Sequence, residues 1–325
     1  MENKALLRLE DVVKRFAVKG KKIGEEKTYV HAVNKVSLNI YQGETLGIVG
    51  ESGCGKTTLG RLMIRLTQPS QGKIIYEDKD ISNLSEKEMK PYRKDLQIIF
   101  QDPYSSLDPR MTVGDIIAEP FEYQNLYSKK ERTERVKELM KLCGLDTIYV
   151  RRYPHEFSGG QRQRIGIARA LALTPKFMVC DEPVSALDVS IQSQIINLLM
   201  DLQEKSNLTY AFISHNLNVI YHISDRVAVM YLGYLMELAD KDELYFHSAH
   251  PYTKALLASI PNIDFESEPL KAQLKGDIPS AIDQPKGCPF ASRCPIVKED
   301  CLLEKPVLKE IAKDHYVACN YPQRL

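Results

Sequence analysis

Two short segments of the sequence carry residue types that could bind phosphate and activate water. The first is a glycine-rich loop ending in a lysine and two threonines: Gly50, Glu51, Ser52, Gly53, Cys54, Gly55, Lys56, Thr57 and Thr58. Its glycines let backbone N–H groups turn toward phosphate oxygens, its lysine reaches the terminal phosphates, and the Thr57 hydroxyl can ligate Mg²⁺. The loop lies between a strand-like run and a helix-like run, which is the context this motif requires. The sequence therefore predicts a phosphate-binding loop here.

The second segment is an acidic pair that follows the apolar run 177–180. At the end of a buried strand Asp181 would hold the Mg²⁺ shell, and Glu182 can polarise an attacking water. Two acids in this place could also mark a strand that turns into solvent, but the phosphate loop favours the catalytic interpretation. The guanine-reading Asn-Lys-x-Asp motif is missing, because Asn34-Lys35 is followed by Val36-Ser37. The predicted ligands are thus ATP and Mg²⁺.

Size and charge exclude several classes of protein. The 325 residues suggest about two domains, and 44 Lys and Arg balance 43 Asp and Glu, so no charge excess predicts a nucleic-acid partner. The apolar runs are far shorter than the roughly 18 to 20 residues of a membrane span. The N-terminus lacks the apolar core of a secretory signal. We therefore expect a cytosolic chain that does not cross a bilayer.

The surrounding elements predict an α/β fold. Period-two alternation predicts strands over 7–10 and 36–40, a buried-type run predicts one over 45–49, and the charged stretch 18–28 between them predicts a loop. Further on, helical and strand-like patterns alternate, as in a parallel α/β sheet. The predicted helices cover 59–66, 131–143, 161–173, 191–205 and 216–223, and the later strands cover 177–180, 209–213 and 226–230.

With the phosphate loop, these elements resemble a P-loop NTPase core, and that resemblance implies an N-terminal antiparallel β subdomain and a helical insertion at about 102–165. Prolines become frequent after residue 248. We therefore divide the chain into an ATPase domain, 1–247, and a small loop-rich C-terminal module, 248–325.

A third motif, Ser158-Gly159-Gly160-Gln161, precedes the acidic pair by about twenty residues. Together, the three motifs in this order resemble the nucleotide-binding subunits of ABC transporters over roughly residues 6–245. The resemblance implies that Ser158 and its neighbours contact the γ-phosphate of ATP held by an opposite subunit. A hydroxyl and glycine amides ahead of a helix form a suitable anion site. The family resemblance thus implies a head-to-tail dimer around two nucleotides, with Phe157 replacing the usual leucine.

Four more residues receive roles from the resemblance. Phe16 would stack on adenine, although a core phenylalanine is the alternative. Gln101 would touch Mg²⁺ and the attacking water. Asp188, in Ser185-Ala186-Leu187-Asp188, would belong to the loop through which the subunits communicate, and His215 would sense the γ-phosphate and orient Glu182.

The C-terminal segment resembles the extension of ATPase subunits from oligopeptide and dipeptide importers. The likeness rests on 250–257, on Gly276-Asp277-Ile278-Pro279-Ser280 and on the run from Cys288 to Pro295. It implies ATP-driven peptide import across the cytoplasmic membrane, with nickel, glutathione or another small solute as the alternative cargo.

Four cysteines cluster in the last 38 residues: Cys288, Cys294, Cys301 and Cys319. Their spacing fits neither a zinc knuckle nor a ferredoxin run, yet thiols in a loop-rich segment suggest a metal that substitutes for a core. Similar modules in the resembled subfamily can carry a [4Fe–4S] cluster, which is our prediction, with zinc or free thiols as alternatives. Cys54 occupies a variable position inside the phosphate loop, and Cys143 and Cys180 are predicted to be small core residues. None of these three needs a chemical role.

The expected partners follow from the resemblance. They are a second ATPase subunit (a second copy or a paralogue), two membrane permease subunits and, indirectly, an extracytoplasmic solute-binding protein, which places the chain at the cytoplasmic face of the membrane. A soluble ABC ATPase that acts on nucleic acid or ribosomes would commonly fuse two cores or carry long coiled coils, and neither pattern occurs. A kinase would leave the Ser-Gly-Gly-Gln motif without a use.

Overall fold

The computed structural model describes residues 4–18, 28–260 and 279–323. They fall into two compact units, Met1–Asn83 with Ser214–Leu325, and Leu84–Ile213. The strands are β1 (Ala5–Val18), β2 (Thr28–Tyr41), β3 (Thr45–Val49), β4 (Gln71–Tyr76), β5 (Lys79–Asp80), β6 (Leu96–Ile99), β7 (Phe177–Asp181), β8 (Thr209–Ile213), β9 (Arg226–Tyr231), β10 (Tyr234–Asp240), β11 (Lys309–Ala312) and β12 (His315–Val317). The α-helices are α1 (Lys56–Met63), α2 (Glu86–Met89), α3 (Val113–Tyr123), α4 (Lys129–Leu142), α5 (Gly159–Leu171), α6 (Val189–Ser206), α7 (Leu217–Ile223), α8 (Lys241–His247), α9 (Pro251–Leu257) and α10 (Glu299–Leu303).

The first unit begins with an antiparallel sheet in the order β2-β1-β4-β5. Leu9 of β1 faces Leu38 of β2 on one side and Ile74 of β4 on the other. These three side chains are buried, because period-two alternation sends them to one face of the sheet. The predicted N-terminal antiparallel β subdomain is confirmed.

A second group of strands in the first unit supports the phosphate loop. Every residue of β3 is buried, and β3 pairs in parallel with β9. The order continues antiparallel from β9 through β10 and β12 to β11, so the C-terminal strands extend this layer. The period-two patterns had not predicted β11 or β12, which are only four and three residues long.

The second unit combines a parallel sheet with a group of helices. Strand β7 pairs in parallel with β6 and β8, and all residues of β7 and β8 are buried, as the continuous apolar runs predict. Helices α3, α4 and α5 pack against one another. The helical insertion is therefore confirmed, whereas its exact limits and the division at residue 247 stay predictions.

Capping residues and tertiary contacts explain where the helix ends differ from the predicted ones. Helix α4 begins two residues early because Ser128 and Glu131 form a capping box, each bonding the backbone N–H of the other. Helix α1 ends at Met63, before the predicted Leu66. Arg65 adopts φ +56°, and its buried guanidinium donates through Nε to the carbonyl of Ile81 at 2.8 Å.

No helix in the described parts of the chain combines the length and apolar character needed to cross a membrane. The predicted loop at 18–28 lies almost entirely outside the described residues, as does the segment from Gly276 to Ile278.

A buried charge cluster anchors β12 to the first unit. His315 is fully buried between two carboxylates, with Nε2 2.8 Å from Oε1 of Glu237 and Nδ1 2.9 Å from Oε1 of Glu243. Neutral imidazole has only one N–H, so both contacts are hydrogen bonds to carboxylates only when the ring is protonated. Burial alone would lower the pKa of His315, but the hydrogen bonds to Glu237 and Glu243 outweigh it and raise the pKa above its ordinary 6.5.

The substitution His315→Gln is expected to destabilise the chain by about 3–5 kcal/mol, because Glu237 keeps a fully buried charge without its cation. A group with a raised folded-state pKa stabilises the fold below its unfolded pKa and loses this effect as the pH rises through the folded pKa. The gap in thermal stability between the native chain and the variant should therefore shrink above pH 6.5. Unfolding followed by circular dichroism from pH 6 to 9 measures it, and the exposed His222→Gln is the control. A gap that widens with pH would contradict the assigned charge.

Candidate functional site

The phosphate loop connects β3 to α1 in the first unit and depends on two glycines. Gly50 has φ +149° and Gly55 has φ +103°. A Cβ on Gly50 would lie 2.2 Å from the carbonyl oxygen of Met230, and one on Gly55 would lie 2.1 Å from that of Ala32. Because backbone atoms cannot move away easily, no other residue fits either position.

Lys56 lies inside this loop at the start of α1. Its side chain is buried, and Nζ donates to the carbonyls of Gly50 at 2.6 Å and Glu51 at 3.0 Å. These contacts hold the ammonium group among the loop residues, next to the positive end of the helix dipole. Thr57 and Thr58 follow in the first turn, half-buried. Burial raises the pKa of the neighbouring Cys54 thiol, which stays protonated.

Phe16, near the end of β1 in the same unit, is 43% exposed. The centroid of its ring lies 5.0 Å from Nζ of Lys14. In the sheet, Phe16 is paired with Val30 of β2. The alternative of a core phenylalanine is therefore wrong, and an aromatic face is accessible for stacking.

The second unit brings two of the predicted catalytic side chains together. Strands β6 and β7 are parallel neighbours, with Ile99 beside Cys180, so the residues after them emerge at one edge of the sheet. Nε2 of Gln101 donates to Oε2 of Glu182 at 3.2 Å. Asp181 is the last residue of β7 and only 2% exposed, which excludes a strand end that turns into solvent.

Glu182 has an unusual backbone conformation, with φ +46°. For a residue with a side chain such a conformation costs of order 1–3 kcal/mol and persists only when surrounding contacts fix it. Here its N–H donates to the carbonyl of Ile213 at 3.0 Å, and its carbonyl accepts from the N–H and Oγ of Ser185 at 3.3 and 3.1 Å. These contacts set the direction of the carboxylate.

His215 follows β8 by two residues and is exposed. The turn that carries it is fixed by its neighbours: Oγ of Ser214 accepts from the N–H of Asn216 at 3.0 Å, and Asn216 caps α7. The imidazole is thus displayed on an ordered turn.

The third motif, Ser158-Gly159-Gly160-Gln161, called the signature motif below, forms the N-terminus of α5 in the second unit. Ser158 is the N-cap: its Oγ accepts from the N–H of Gln161 at 3.4 Å, and Oε1 of Gln161 accepts from the N–H of Ser158 at 3.1 Å. The serine O–H remains able to donate, and the first helical amides have no partner within the helix. A Cβ on Gly160 would lie 2.4 Å from Cγ2 of Ile191.

Two neighbouring residues complete this region. Phe157 is buried against Tyr149, ring centroids 6.0 Å apart and edge to face, so it fills the space of an apolar core residue. Asp188 is exposed and is the N-cap residue of α6, without a side-chain capping bond.

The four C-terminal cysteines line one small cavity in the first unit. Each is half-buried, and burial raises the pKa of Cys288 to about 11. Within the described ranges, however, no three side chains of His, Cys, Asp or Glu are arranged to hold a metal ion. Cys143 and Cys180 are buried, as predicted, and Cys54 in the phosphate loop is buried as well.

The sequence patterns missed one contact of the phosphate loop. The carboxylate of Glu51 binds the guanidinium of Arg293 at 2.7 and 2.9 Å, across 242 positions of sequence. In the sequence, Arg293 stands out only because it lies among the cysteines and prolines of 288–295. That composition does not indicate which carboxylate the arginine binds.

Comparison with known families gives two matches. A family model described as ABC transporter matches residues 33–185, and one described as the C-terminal region of oligopeptide/dipeptide transporters matches residues 236–301. The oligopeptide transport ATP-binding protein AppF of Bacillus subtilis (strain 168) is 54% identical, over 97% of both chains. The oligopeptide transport ATP-binding protein OppF of Salmonella typhimurium is 49% identical, over 98% of this chain and 96% of that relative.

Solved structures agree with the ABC transporter match. The dimeric ATP-binding cassette MJ0796, in a post-hydrolysis state with ADP and Pi, is 31% identical, has a TM-score of 0.64 and covers 72% of this chain and 98% of its own. The cassette cbiO1 of Clostridium perfringens, part of the transporter complex cbiONQ, has a TM-score of 0.64 at 27% identity and covers 75% of this chain and 91% of its own.

Proposed function

The chain belongs to the ABC transporter family, and on this premise we propose that it is the ATP-hydrolysing subunit that powers import of di- and oligopeptides through partner permeases. The observation that carries the proposal is the coexistence, in one chain, of a buried loop lysine, a glycine-rich helix start capped by Ser158 and a C-terminal region that matches the oligopeptide/dipeptide transporter family. Relatives named for peptide import support the cargo.

The phosphate loop holds the triphosphate. Lys56 neutralises the terminal phosphates, the loop amides and the start of α1 bind their oxygens, and Phe16 stacks on adenine. Thr57, Gln101 and Asp181 would hold Mg²⁺, since hydroxyl, amide and carboxylate oxygens are the donors that this ion prefers. When bound, Mg²⁺ supplies positive charge to the phosphates.

Glu182 acts as the general base for hydrolysis. Its carboxylate accepts a proton from the attacking water while the water oxygen bonds to the γ-phosphorus and the bond to ADP breaks. Gln101, 3.2 Å from the carboxylate, positions both carboxylate and water, and His215 orients them from its ordered turn. The strained backbone of Glu182 supports this role, since such strain clusters at functional sites.

Each nucleotide is enclosed by two subunits. Ser158, Gly159, Gly160 and Gln161 bind the γ-phosphate held by the partner, while Asp188 transmits the state of one site to the other. ATP contacts both subunits only in the closed dimer and so shifts the population toward it, and hydrolysis releases it. Permease subunits convert this cycle into transport, with the ATPase at the cytoplasmic face of the membrane.

The test is reconstitution of the chain with its permeases and solute-binding protein in lipid vesicles. A labelled peptide should accumulate only with ATP, and Lys56→Ala should abolish accumulation. Uptake of nickel or glutathione, but not of peptide, would replace peptide as the assigned cargo. ATP hydrolysis that requires nucleic acid or ribosomes but no permease would overturn the proposal.

We further propose that the four C-terminal thiols would hold a [4Fe–4S] cluster. Their position around one cavity supports this role, and in such clusters each thiolate binds its own iron, so the sulfurs need not converge on one ion. When bound, the cluster would cross-link four positions of this segment and add the free energy of metal binding to its folding.

Anaerobic purification should give a brown protein with iron and acid-labile sulfide in about equal amounts. Cys294→Ser should lower both, since it removes one ligand, whereas Cys143→Ala, in the buried core, should leave them unchanged. A colourless, iron-free protein with an ordered C-terminal region would refute the cluster, and one zinc per chain would favour the alternative ion.

A further inference from the structure

The phosphate loop is held from outside by the C-terminal part of the same unit. The backbone N–H of Glu51 donates to the hydroxyl of Tyr252 at 3.0 Å. The Glu51 carboxylate accepts two parallel hydrogen bonds from Arg293, through Nη1 at 2.7 Å and Nη2 at 2.9 Å. Both the backbone and the side chain of one loop residue are therefore fixed by residues more than 200 positions away.

The pair between Arg293 and Glu51 differs from an ordinary surface ion pair. The arginine side chain is 5% exposed and the glutamate 21%. Two-pronged guanidinium–carboxylate bonding is strong and directional. Nη1 also donates to the hydroxyl of Tyr231 at 3.3 Å, so the guanidinium cannot rotate away without losing several contacts.

Aromatic packing fixes the second contact. The rings of Tyr231, Tyr252 and Phe290 form a cluster with centroid separations of 4.7–5.4 Å. Tyr252 is fully buried, and its hydroxyl lies where the N–H of Glu51 reaches it. A rigid ring cluster thus supplies a hydrogen-bond acceptor at a set position.

Arg293 belongs to the short turn between two of the cavity-lining cysteines. The N–H of Ala291 donates to the carbonyl of Cys288 at 3.1 Å, and the N–H of Cys294 donates to that of Ala291 at 3.3 Å. The arginine is therefore held by the turn that carries these two thiols.

Glu51 presents an electrostatic difficulty for a loop that receives a triphosphate. Glu51 follows Gly50 directly and precedes Lys56 by five positions, so its carboxylate belongs to the loop itself. Without a partner, the negative charge would repel the phosphates of the nucleotide. Arg293 neutralises this charge in a partly buried environment, where screening by solvent is weak.

Building on the proposed ATPase function, we propose that Arg293 is a positioning residue for nucleotide binding: together with Tyr252 it fixes the start of the phosphate loop, and it cancels the charge of Glu51. The C-terminal segment thereby contributes to the ATP site of its own chain, although it lies outside the motifs that form the site.

Binding of Mg·ATPγS to the full chain, measured by calorimetry, tests the proposal through a mutant cycle. Arg293→Gln should weaken binding roughly tenfold, since coupling within such a network amounts to about one factor of ten. Combining Glu51→Gln with Arg293→Gln removes the repelling charge, so the double variant should bind more tightly than Arg293→Gln alone. Arg293→Lys keeps the charge but cannot form two parallel hydrogen bonds, so its affinity for Mg·ATPγS should lie between those of the native chain and Arg293→Gln.

Two further measurements separate positioning from general stability. Hydrogen exchange of the peptide that contains residues 50–57 should accelerate in Arg293→Gln, and the KM for ATP should rise more than kcat falls. Tyr252→Phe, which removes only the hydroxyl from a buried ring, should accelerate the same exchange. The control is Arg135→Gln, which breaks an exposed pair with Glu138 and should change none of these values.

The outcomes are distinct from failure of the proposed function. If the native chain binds no ATP, the ATPase assignment itself is wrong. If the native chain binds ATP, unchanged affinity and loop exchange in Arg293→Gln overturn the positioning role. A double variant that binds no better than Arg293→Gln overturns the charge argument.

Discussion

Glu182→Gln should reduce ATP hydrolysis by a factor of about 10² to 10⁴ while ATP binding persists, since general-base catalysis contributes an effect of this order. The amide has the shape of the carboxylate, so its oxygen can still accept from Nε2 of Gln101, 3.2 Å away in the native chain. It cannot accept the proton of the attacking water. The closed state should therefore accumulate with ATP trapped inside it.

Steady-state hydrolysis, equilibrium binding and light scattering with and without ATP measure these three effects. Glu204→Gln, an exposed change of the same chemistry on α6, is the control and should leave the rate unchanged. Hydrolysis at the native rate in Glu182→Gln would refute the assignment of the base.

Ser158→Arg should abolish the ATP-trapped dimer when it is combined with Glu182→Gln, yet leave binding of ATP to the single chain intact. The reason is the proposed contribution of Ser158 to the nucleotide site of the partner, while the phosphate loop of its own chain is unaltered. A bulky cation in place of the hydroxyl also blocks the approach of the γ-phosphate. Size-exclusion chromatography with light scattering measures the dimer, and calorimetry measures binding.

Ser128→Arg provides a matched control. Ser128 caps α4 with the same capping-box geometry with which Ser158 caps α5, including a 3.4 Å hydrogen bond from the third helical amide. Both changes cost a helix cap, about 1 kcal/mol, so any difference between them reports on the partner site. A dimer that survives Ser158→Arg would contradict the shared nucleotide site.

The parts of the candidate site differ in how far local sequence specifies them. The phosphate loop and the signature motif are continuous segments, and each needs only a glycine pattern beside a strand or a helix. The adjacency of Gln101 and Glu182 follows from the parallel pairing of β6 and β7, and β6 was not among the strands that the sequence patterns predicted. The exposure of Phe16 required the fold, because a single aromatic residue in a strand gives no sign of which face it occupies.

The sequence by itself determined the phosphate loop, the buried strands β3, β7 and β8 and the periodic helix α4, since glycines and hydrophobic periodicity act within a few residues. The short strands β6, β11 and β12 were not predicted. Only the tertiary structure decided which distant residues meet. It places Arg293 against Glu51 and His315 between Glu237 and Glu243, and it ends α1 early through Arg65. The physical reason is that a charged side chain has many candidate partners of opposite sign, and chain folding, not local spacing, selects the one that is buried beside it.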